Sequence, residues 1–290
     1  MKTLASVAGI AVLMATAPAW AGHPVSIVAA ENFYGDVAKQ IGGNAVDVTS
    51  VLSNPDQDPH LFEASPSVAR GVAGARIVVY NGAGYDPWME ALLGASKATD
   101  RKAIVVGDLI GKKAGDNPHI WYDTATMVAF AEALTDALDT ADAANKAGYD
   151  RRLAAFIASL KPIQDKIAEL KDRLTGTPAT ATEPVFGYMF AALGMDIHNT
   201  EFQLAVMNGT EPSASQVAAF EDDLAKHRVK LLVYNSQASD PLAEKMLKLA
   251  KAANIPIVGA NETEPPGKTY QAWMTGALEA VDKALPKLTQ

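Results

Sequence analysis

Two histidines in polar turns that contain proline carry the strongest chemical signal in this chain of 290 residues. His60 lies in the segment 58–62 (DPHLF), and His119 lies in the segment 117–121 (NPHIW). Proline fixes the backbone ahead of each ring and keeps the preceding residue extended. An imidazole held in this way has already lost part of its conformational freedom, which favours ligation. We therefore interpret the two histidines as donors to one metal site that is assembled from two loops.

Two glutamates are the candidate oxygen donors that would complete such a site. Glu183 follows a predicted strand at 177–181, and Glu262 follows a predicted strand at 255–258. Ligands of open parallel sheets collect beyond the carboxyl ends of the strands, so both side chains are expected at such an edge. The segment 235–237 (NSQ) also follows a strand end and is a candidate source of hydrogen bonds to a carboxylate ligand.

The elements that must position these residues alternate between strand and helix. Apolar runs typical of buried strands occur at 25–30, 46–52, 77–80, 104–106, 177–181, 231–234 and 255–258, with helical patterns between them. This order predicts parallel sheets covered by helices. The fold class is therefore α/β, with two lobes, each a mostly parallel sheet flanked by helices.

The middle of the chain interrupts this alternation with a long helical pattern. Apolar residues recur at steps of three and four from Leu153 to Leu174, as expected for an amphipathic helix. Thirty helical residues would span about 45 Å, which is enough to run along two lobes. Pro162 lies inside this pattern and should kink the helix or mark a local break. We interpret this helix as the connection between the lobes.

The first residues of the chain resemble an export signal. A basic start at Lys2 precedes an apolar run from 4 to 17, which is too short for a bilayer span. The segment 19–21 (AWA) then fits the small-x-small pattern of a cleavage site. We expect cleavage after Ala21 and a soluble periplasmic protein. Because the sequence contains no cysteine, we expect neither disulfides nor a lipid anchor on an N-terminal cysteine.

Composition and order together define four predicted parts of the chain. The net charge is −8 and no dense basic stripe occurs, so nucleic acid is a poor candidate partner. A chain of this length exceeds the usual size of one hydrophobic core. We expect a signal peptide at 1–21, an N-terminal metal-binding lobe at 22–124, a helical connector with the long linking helix at 125–175, and a C-terminal metal-binding lobe at 176–290.

Several motifs resemble those of the metal-binding receptors of bacterial ABC importers, which capture zinc or manganese. The segment 58–67 (DPHLFEASPS) resembles their first ligand motif, and 117–121 resembles their second. The segment 186–194 is similar to the stretch after their third ligand, and 211–213 (EPS) also recurs in them. The resemblance covers nearly the whole chain beyond the signal. It implies two α/β lobes joined by one long helix, with the metal in the cleft.

The same resemblance implies the ligand set, position by position. His60 and His119 match the first two ligands. The third ligand is histidine in zinc-type receptors and glutamate in manganese-type ones, and here it falls on Glu183. The fourth is usually aspartate, so Glu262 is a departure, and Glu264 remains the alternative. The histidine-rich loop that many zinc-type members carry is missing between Trp88 and His119.

These donors leave the choice of metal open. Oxygen ligands suit manganese and imidazole suits zinc, but zinc binds a given nitrogen and oxygen site more tightly than manganese does. We expect one divalent transition metal as the transported ligand, Mn²⁺ or Zn²⁺, with a slight preference for manganese. The expected partner is an ABC transporter permease in the inner membrane, with a metallochaperone as a further candidate, and we expect a monomer.

Two other functions are less compatible with the sequence. A metal-dependent periplasmic hydrolase would need a catalytic motif, but neither His-Glu-x-x-His nor Gly-x-Ser-x-Gly occurs, and no cysteine can serve as a nucleophile. A receptor for an iron chelate would need a wide basic or aromatic cleft, yet aromatic residues make up 7% of the chain without clustering. The sequence therefore favours a receptor that is not an enzyme.

Overall fold

The structure, a computed structural model, describes residues 23–57, 59–96, 98–238 and 240–286, without the side chain of His60. The predicted signal peptide at 1–21 lies outside the described residues. Within them, no helix has the length and apolar character needed to cross a membrane. The described chain forms two lobes with one parallel sheet each, joined by helices.

The N-terminal lobe is a four-stranded parallel sheet in the order β2-β1-β3-β4. Its elements are β1 (Val25–Glu31), α1 (Asn32–Gly42), β2 (Val46–Leu52), α2 (Pro66–Gly74), β3 (Ile77–Tyr80), α3 (Pro87–Ala95), β4 (Lys102–Val105) and α4 (Val106–Leu109). The central strands β1 and β3 are buried almost throughout, as their continuous apolar runs predict. The prediction for β4 extended one residue too far, because Val106 already begins α4.

The C-terminal lobe repeats this arrangement with the order β6-β5-β7-β8. Its elements are β5 (Pro178–Ala181), α8 (Gly187–Ala192), β6 (Asp196–Ile197), α9 (Thr200–Met207), α10 (Ala214–Ala225), β7 (Leu231–Asn235), α11 (Pro241–Ala252), β8 (Ile257–Ala260) and α12 (Tyr270–Ala284). Strand β8 begins two residues later than predicted, because the backbone N–H of Ile255 still bonds the carbonyl of Ala250 in α11.

Three helices connect the lobes: α5 (Thr124–Ala141), α6 (Lys146–Ser159) and α7 (Lys161–Leu174). The predicted break at Pro162 is confirmed, since α6 ends before Leu160 and Pro162 lies in the first turn of α7. Proline is tolerated there because a first-turn residue needs no backbone N–H. Helix α6 packs against α1 of the N-terminal lobe, and α7 packs against α12 of the C-terminal lobe.

A continuous apolar core runs beneath both lobes. In the N-terminal lobe the ring of Phe33 lies 4.7 Å from Trp121, measured between centroids, and 5.8 Å from Trp273 of α12. Tyr122 lies 5.1 Å from Phe186 and 5.5 Å from Trp273. Such aromatic pairs contribute about 0.5–1.5 kcal/mol each beyond their buried area. The lobes are therefore joined by packed aromatic rings in addition to the helical connector.

Candidate metal-binding site

His119 lies in the N-terminal lobe, and its ring is completely buried. Asn117 determines the orientation of this ring. The Nδ2 of Asn117 donates to the carbonyl of Pro184 at 2.8 Å, so its Oδ1 faces the histidine, 2.7 Å from Nδ1. The backbone N–H of His119 donates to the same oxygen. This network places the ring proton on Nδ1 and leaves the lone pair on Nε2, the atom that could ligate a metal.

Glu183 and Glu262 lie at the carboxyl edge of the second sheet. Glu183 follows β5 and is 4% exposed, and Glu262 follows β8 and is fully buried. Asn235, the last residue of β7, links the two side chains. Its Nδ2 donates to Oε2 of Glu183 at 3.0 Å and to Oε1 of Glu262 at 2.5 Å. Asn235 thus donates to both predicted carboxylate ligands, as expected for the segment 235–237, although it ends β7 and does not follow it.

The two lobes meet at Glu262. Its Oε2 lies 3.5 Å from Nε2 of His119, and it accepts a hydrogen bond of 2.8 Å from the hydroxyl of Tyr85. Burial, together with the nearby charge of Glu262, raises the pKa of Tyr85 well above its usual range. Tyr85 therefore remains a protonated donor. Glu262 therefore lies beside His119 of the other lobe, and Asn235 connects it to Glu183 within its own lobe.

The fourth predicted residue can be located only by its backbone. His60 lies in a short turn of 3₁₀ helix at Pro59–Leu61, and its side chain lies outside what the structure describes. Among the described side chains, no three of the types His, Cys, Asp and Glu form a group that could hold a metal ion. The ligand set named from the sequence therefore stays a prediction.

Glu264 belongs to a different part of the lobe interface. Asn32 of α1 holds its backbone through two hydrogen bonds, from Glu264 N to Oδ1 and from Nδ2 to the Glu264 carbonyl. Its side chain lines a polar pocket together with Asp36 and Lys39. Burial, and secondarily the charge of Asp36, raises the pKa of Glu264 to about 8. The residues that line this pocket include neither Glu262 nor His119.

Sequence reasoning missed Tyr85 and the neighbouring polar loop after β3. Asp86 accepts hydrogen bonds from the backbone N–H groups of Asn81 and Gly82, at 2.6 and 2.8 Å. Asn81 in turn donates to the carbonyl of Pro118 at 2.9 Å and so joins this loop to the one that carries His119. The signal available was position, because 81–86 is a polar segment at the carboxyl edge of the first sheet.

The donor set has a definite chemical character. The buried carboxylate of Glu262 lies beside the imidazole of His119, and the neutral groups of Asn235 and Tyr85 donate hydrogen bonds to the buried carboxylates. Buried carboxylates are costly unless they are paired or bind a metal. Nitrogen and oxygen donors of this kind suit a divalent transition metal. Two lobes with such groups at their contact are the architecture of a receptor for a small cation.

The comparison with known families agrees with this class. Residues 27–284 match the family model described as zinc-uptake complex component A, periplasmic (ZnuA). The match spans most of the chain, and the chain therefore belongs to this family, the substrate-binding proteins of bacterial ABC metal importers. The family consists of transport receptors. Neither the hydrolase nor the iron-chelate alternative gains support from it.

Individual relatives and solved structures are similar along nearly the whole chain. The manganese ABC transporter substrate-binding lipoprotein PsaA of Streptococcus mitis is 25% identical, over 92% of this chain and 91% of that protein. The fold matches the periplasmic zinc-binding protein TroA of Treponema pallidum, with a TM-score of 0.77 and 18% identity. This match covers 92% of this chain and 100% of that one. The fold also matches a manganese-bound periplasmic metal-binding protein of Candidatus Liberibacter asiaticus, with a TM-score of 0.69 and 18% identity. This match covers 90% of this chain and 99% of that one.

Proposed function

We propose that the protein encloses one divalent transition metal, Mn²⁺ or Zn²⁺, between its lobes and delivers it to the permease of an ABC importer. The proposed ligands are His60, His119, Glu183 and Glu262. One observation carries the proposal: a buried imidazole of the first lobe lies 3.5 Å from a buried carboxylate of the second. Asn235 donates to this carboxylate and to that of Glu183, which supports the inclusion of Glu183 in the proposed set.

Glu262 is preferred to Glu264 as the fourth ligand because of their different surroundings. Glu262 neighbours His119 and Tyr85, whereas Glu264 lines the pocket of Asp36 and Lys39. This choice can be tested directly, since the two residues lie on the same loop and take the same substitution.

The experiment is calorimetric titration of the metal-free protein with zinc and with manganese. We expect His60→Ala and Glu262→Gln to weaken binding by more than the roughly 10–100-fold loss that is typical of residues behind the ligands. Glu264→Gln is the matched control and should bind as the wild type does. Unchanged tight binding in His60→Ala would refute the ligand set, and a loss confined to Glu264→Gln would reassign the fourth ligand.

The donors favour manganese slightly over zinc as the physiological metal. Two carboxylates can bind through both oxygens and raise the coordination number above the four that zinc prefers. A relative is named for manganese and a structural neighbour for zinc, so similarity supports both metals. Metal analysis of the protein purified from its own periplasm tests the choice, and a zinc content well above manganese would contradict the preference.

We further propose that the protein acts as a monomer, with a metallochaperone as a candidate donor of the metal. One chain supplies all four proposed ligands, so no second copy is needed to complete the site. Light scattering after gel filtration, with and without metal, should give the mass of one chain. A metal-dependent dimer would contradict this part of the proposal.

A further inference from the structure

Gln237 lies two residues beyond β7, and its side chain is 8% exposed. Its Oε1 accepts two backbone hydrogen bonds from the loop that carries the proposed fourth ligand. The N–H of Glu262 donates at 2.6 Å, and the N–H of Thr263 donates at 3.1 Å. The oxygen end of this amide therefore holds the Glu262 loop in place.

The nitrogen end of the same amide reaches the other lobe. The Nε2 of Gln237 donates to Oγ1 of Thr263 at 3.0 Å and to the backbone carbonyl of Gln57 at 3.0 Å. Gln57 ends a turn that Asn54 begins, and it lies three residues before His60. A single side chain thus contacts both the loop of the first proposed ligand and the loop of the fourth.

The orientation of this amide is fixed by its partners. Two backbone N–H groups can be satisfied only by the oxygen, so the NH₂ group must face Thr263 and Gln57. The backbone N–H of Gln237 also donates to Oδ1 of Asn235, which turns the NH₂ of Asn235 toward the two carboxylates. Gln237 therefore acts on the carboxylate side of the cleft through two separate contacts.

We propose that Gln237 is a positioning residue that latches the His60 loop to the Glu262 loop and thereby slows release of the bound metal. This inference rests on the proposed metal-binding function. Departure of the metal requires the ligand loops of the two lobes to separate, and the bond from Nε2 of Gln237 to the Gln57 carbonyl opposes that separation. Affinity differences between variants of one binding site arise mostly from the dissociation rate, so the latch should act there.

The decisive variant is Gln237→Glu, which separates the two roles of the Gln237 side chain. It keeps an oxygen for the N–H groups of Glu262 and Thr263, but it sets a second oxygen against the Gln57 carbonyl. We expect release of Zn²⁺ to a chelator, followed by stopped flow, to be roughly 10–100-fold faster than in the wild type, as for loss of a supporting contact at a metal site. Unchanged release in this variant would overturn the latch.

A second variant, Gln237→Met, has nearly the same shape and no charge, and it removes both functions. Release from this variant should be at least as fast as from Gln237→Glu. If Gln237→Met alone released metal faster, the residue would act only on its own loop, and the latch across the lobes would be wrong.

The matched control is Gln203→Glu in α9. Gln203 is 2% exposed and donates from Nε2 to the carbonyl of His198 at 2.7 Å, and its described hydrogen bonds stay within the lobe of Gln237. This change removes a comparable buried hydrogen bond, so it should lower the urea midpoint without changing metal release. Equally fast release from the control would assign the effect to general loosening and overturn the latch. A wild-type protein that bound neither metal would refute the proposed function itself.

Discussion

At the scale of single residues, the orientation of the His119 ring depends on both lobes. Asn117 belongs to the first lobe and Pro184 to the second, and the hydrogen bond between them determines which end of the Asn117 amide faces the imidazole. A separation of the lobes would free this amide to rotate. The availability of Nε2 as a metal donor is therefore coupled to the contact between the lobes.

Replacement of Asn117 by alanine tests this coupling. The His119 ring would lose the acceptor of its Nδ1 proton, and we expect the dissociation constant for Zn²⁺ to rise by roughly 10–100-fold, as for other partners behind metal-ligating histidines. Chelator competition measures the constant. Asn208→Ala, at an exposed position after α9, is the control and should bind normally. Wild-type affinity in Asn117→Ala would show that the ring needs no such support.

Gly187 provides the space that the Asn117 side chain occupies. A Cβ atom at Gly187 would lie 2.7 Å from Nδ2 of Asn117, so alanine must displace that amide. Alanine otherwise favours a helix over glycine by about 1 kcal/mol. We expect Gly187→Ala to weaken Zn²⁺ binding in the same competition assay. Gly94→Ala in α3, where a Cβ meets nothing within 4 Å, should leave the affinity unchanged, and equal affinities in both variants would contradict the steric argument.

The sequence predicted the candidate site unevenly at this scale. Candidate ligands with a local signal could be named, because a proline before a histidine and an acid after a strand can be recognised in the chain itself. Tyr85 and Asn117 were missed. Their roles depend on contacts with Glu262 and Pro184, which are far away in sequence, so only the folded chain reveals them.

At the scale of elements, the carboxyl edge of the first sheet contains two buried acids of its own. Glu31 ends β1 and is fully buried, and Asp86 lies after β3 and is 1% exposed. Burial raises the pKa of Glu31 well above its usual range, and the nearby charge of Asp86 raises it further. Burial also raises the pKa of Asp86 to about 6, against the opposing effect of its backbone hydrogen bonds. The pair should therefore retain a proton at neutral pH.

This pair predicts a pH dependence of stability in the metal-free protein. Because both pKa values are raised in the folded state, the folded chain binds protons that the unfolded chain has released, and stability falls as the pH rises through about 6. Glu31→Gln removes one of the two titrations. Between pH 5 and pH 8 we expect the urea midpoint of the wild type to fall more than the midpoint of the variant, because the variant has one raised carboxyl pKa fewer. Parallel changes in the two proteins would argue against the pair.

Elements with a strong local pattern were predicted well, including the apolar strands β1, β3 and β7. Short elements were not. Strand β6 has two residues, too few for any periodicity, and it exists because β5 offers an edge to pair with. The ends of β4 and β8 were displaced by one or two residues because hydrogen bonds of the adjoining helices decide them.

At the scale of the whole molecule, the two lobes should unfold together. The core runs continuously beneath them, and the proposed ligands come from both. A free metal concentration of 100 times the dissociation constant would stabilise the folded chain by about 2.7 kcal/mol. We expect calorimetry to show one transition that moves to higher temperature with metal. The transition of His119→Ala should not shift when metal is added. Two transitions in the wild type, only one of them shifted by metal, would contradict the shared core.

The architecture followed from the sequence, whereas the joint between the lobes did not. Alternating strands and helices on either side of a long helical segment indicated two parallel sheets and their connector. Nothing in the local patterns of Phe33, Trp121 and Trp273 showed that these rings would meet. Their contact depends on the packing of α12 against the first lobe, which is a property of the complete fold.

Helix α12 comes from the last part of the chain, yet Trp273 within it covers Phe33 near the start. Until α12 has been synthesised, Phe33 therefore lacks the ring of Trp273 that packs against it in the folded chain. We therefore expect the precursor to complete its fold late, which favours passage through a translocation channel before the chain is compact.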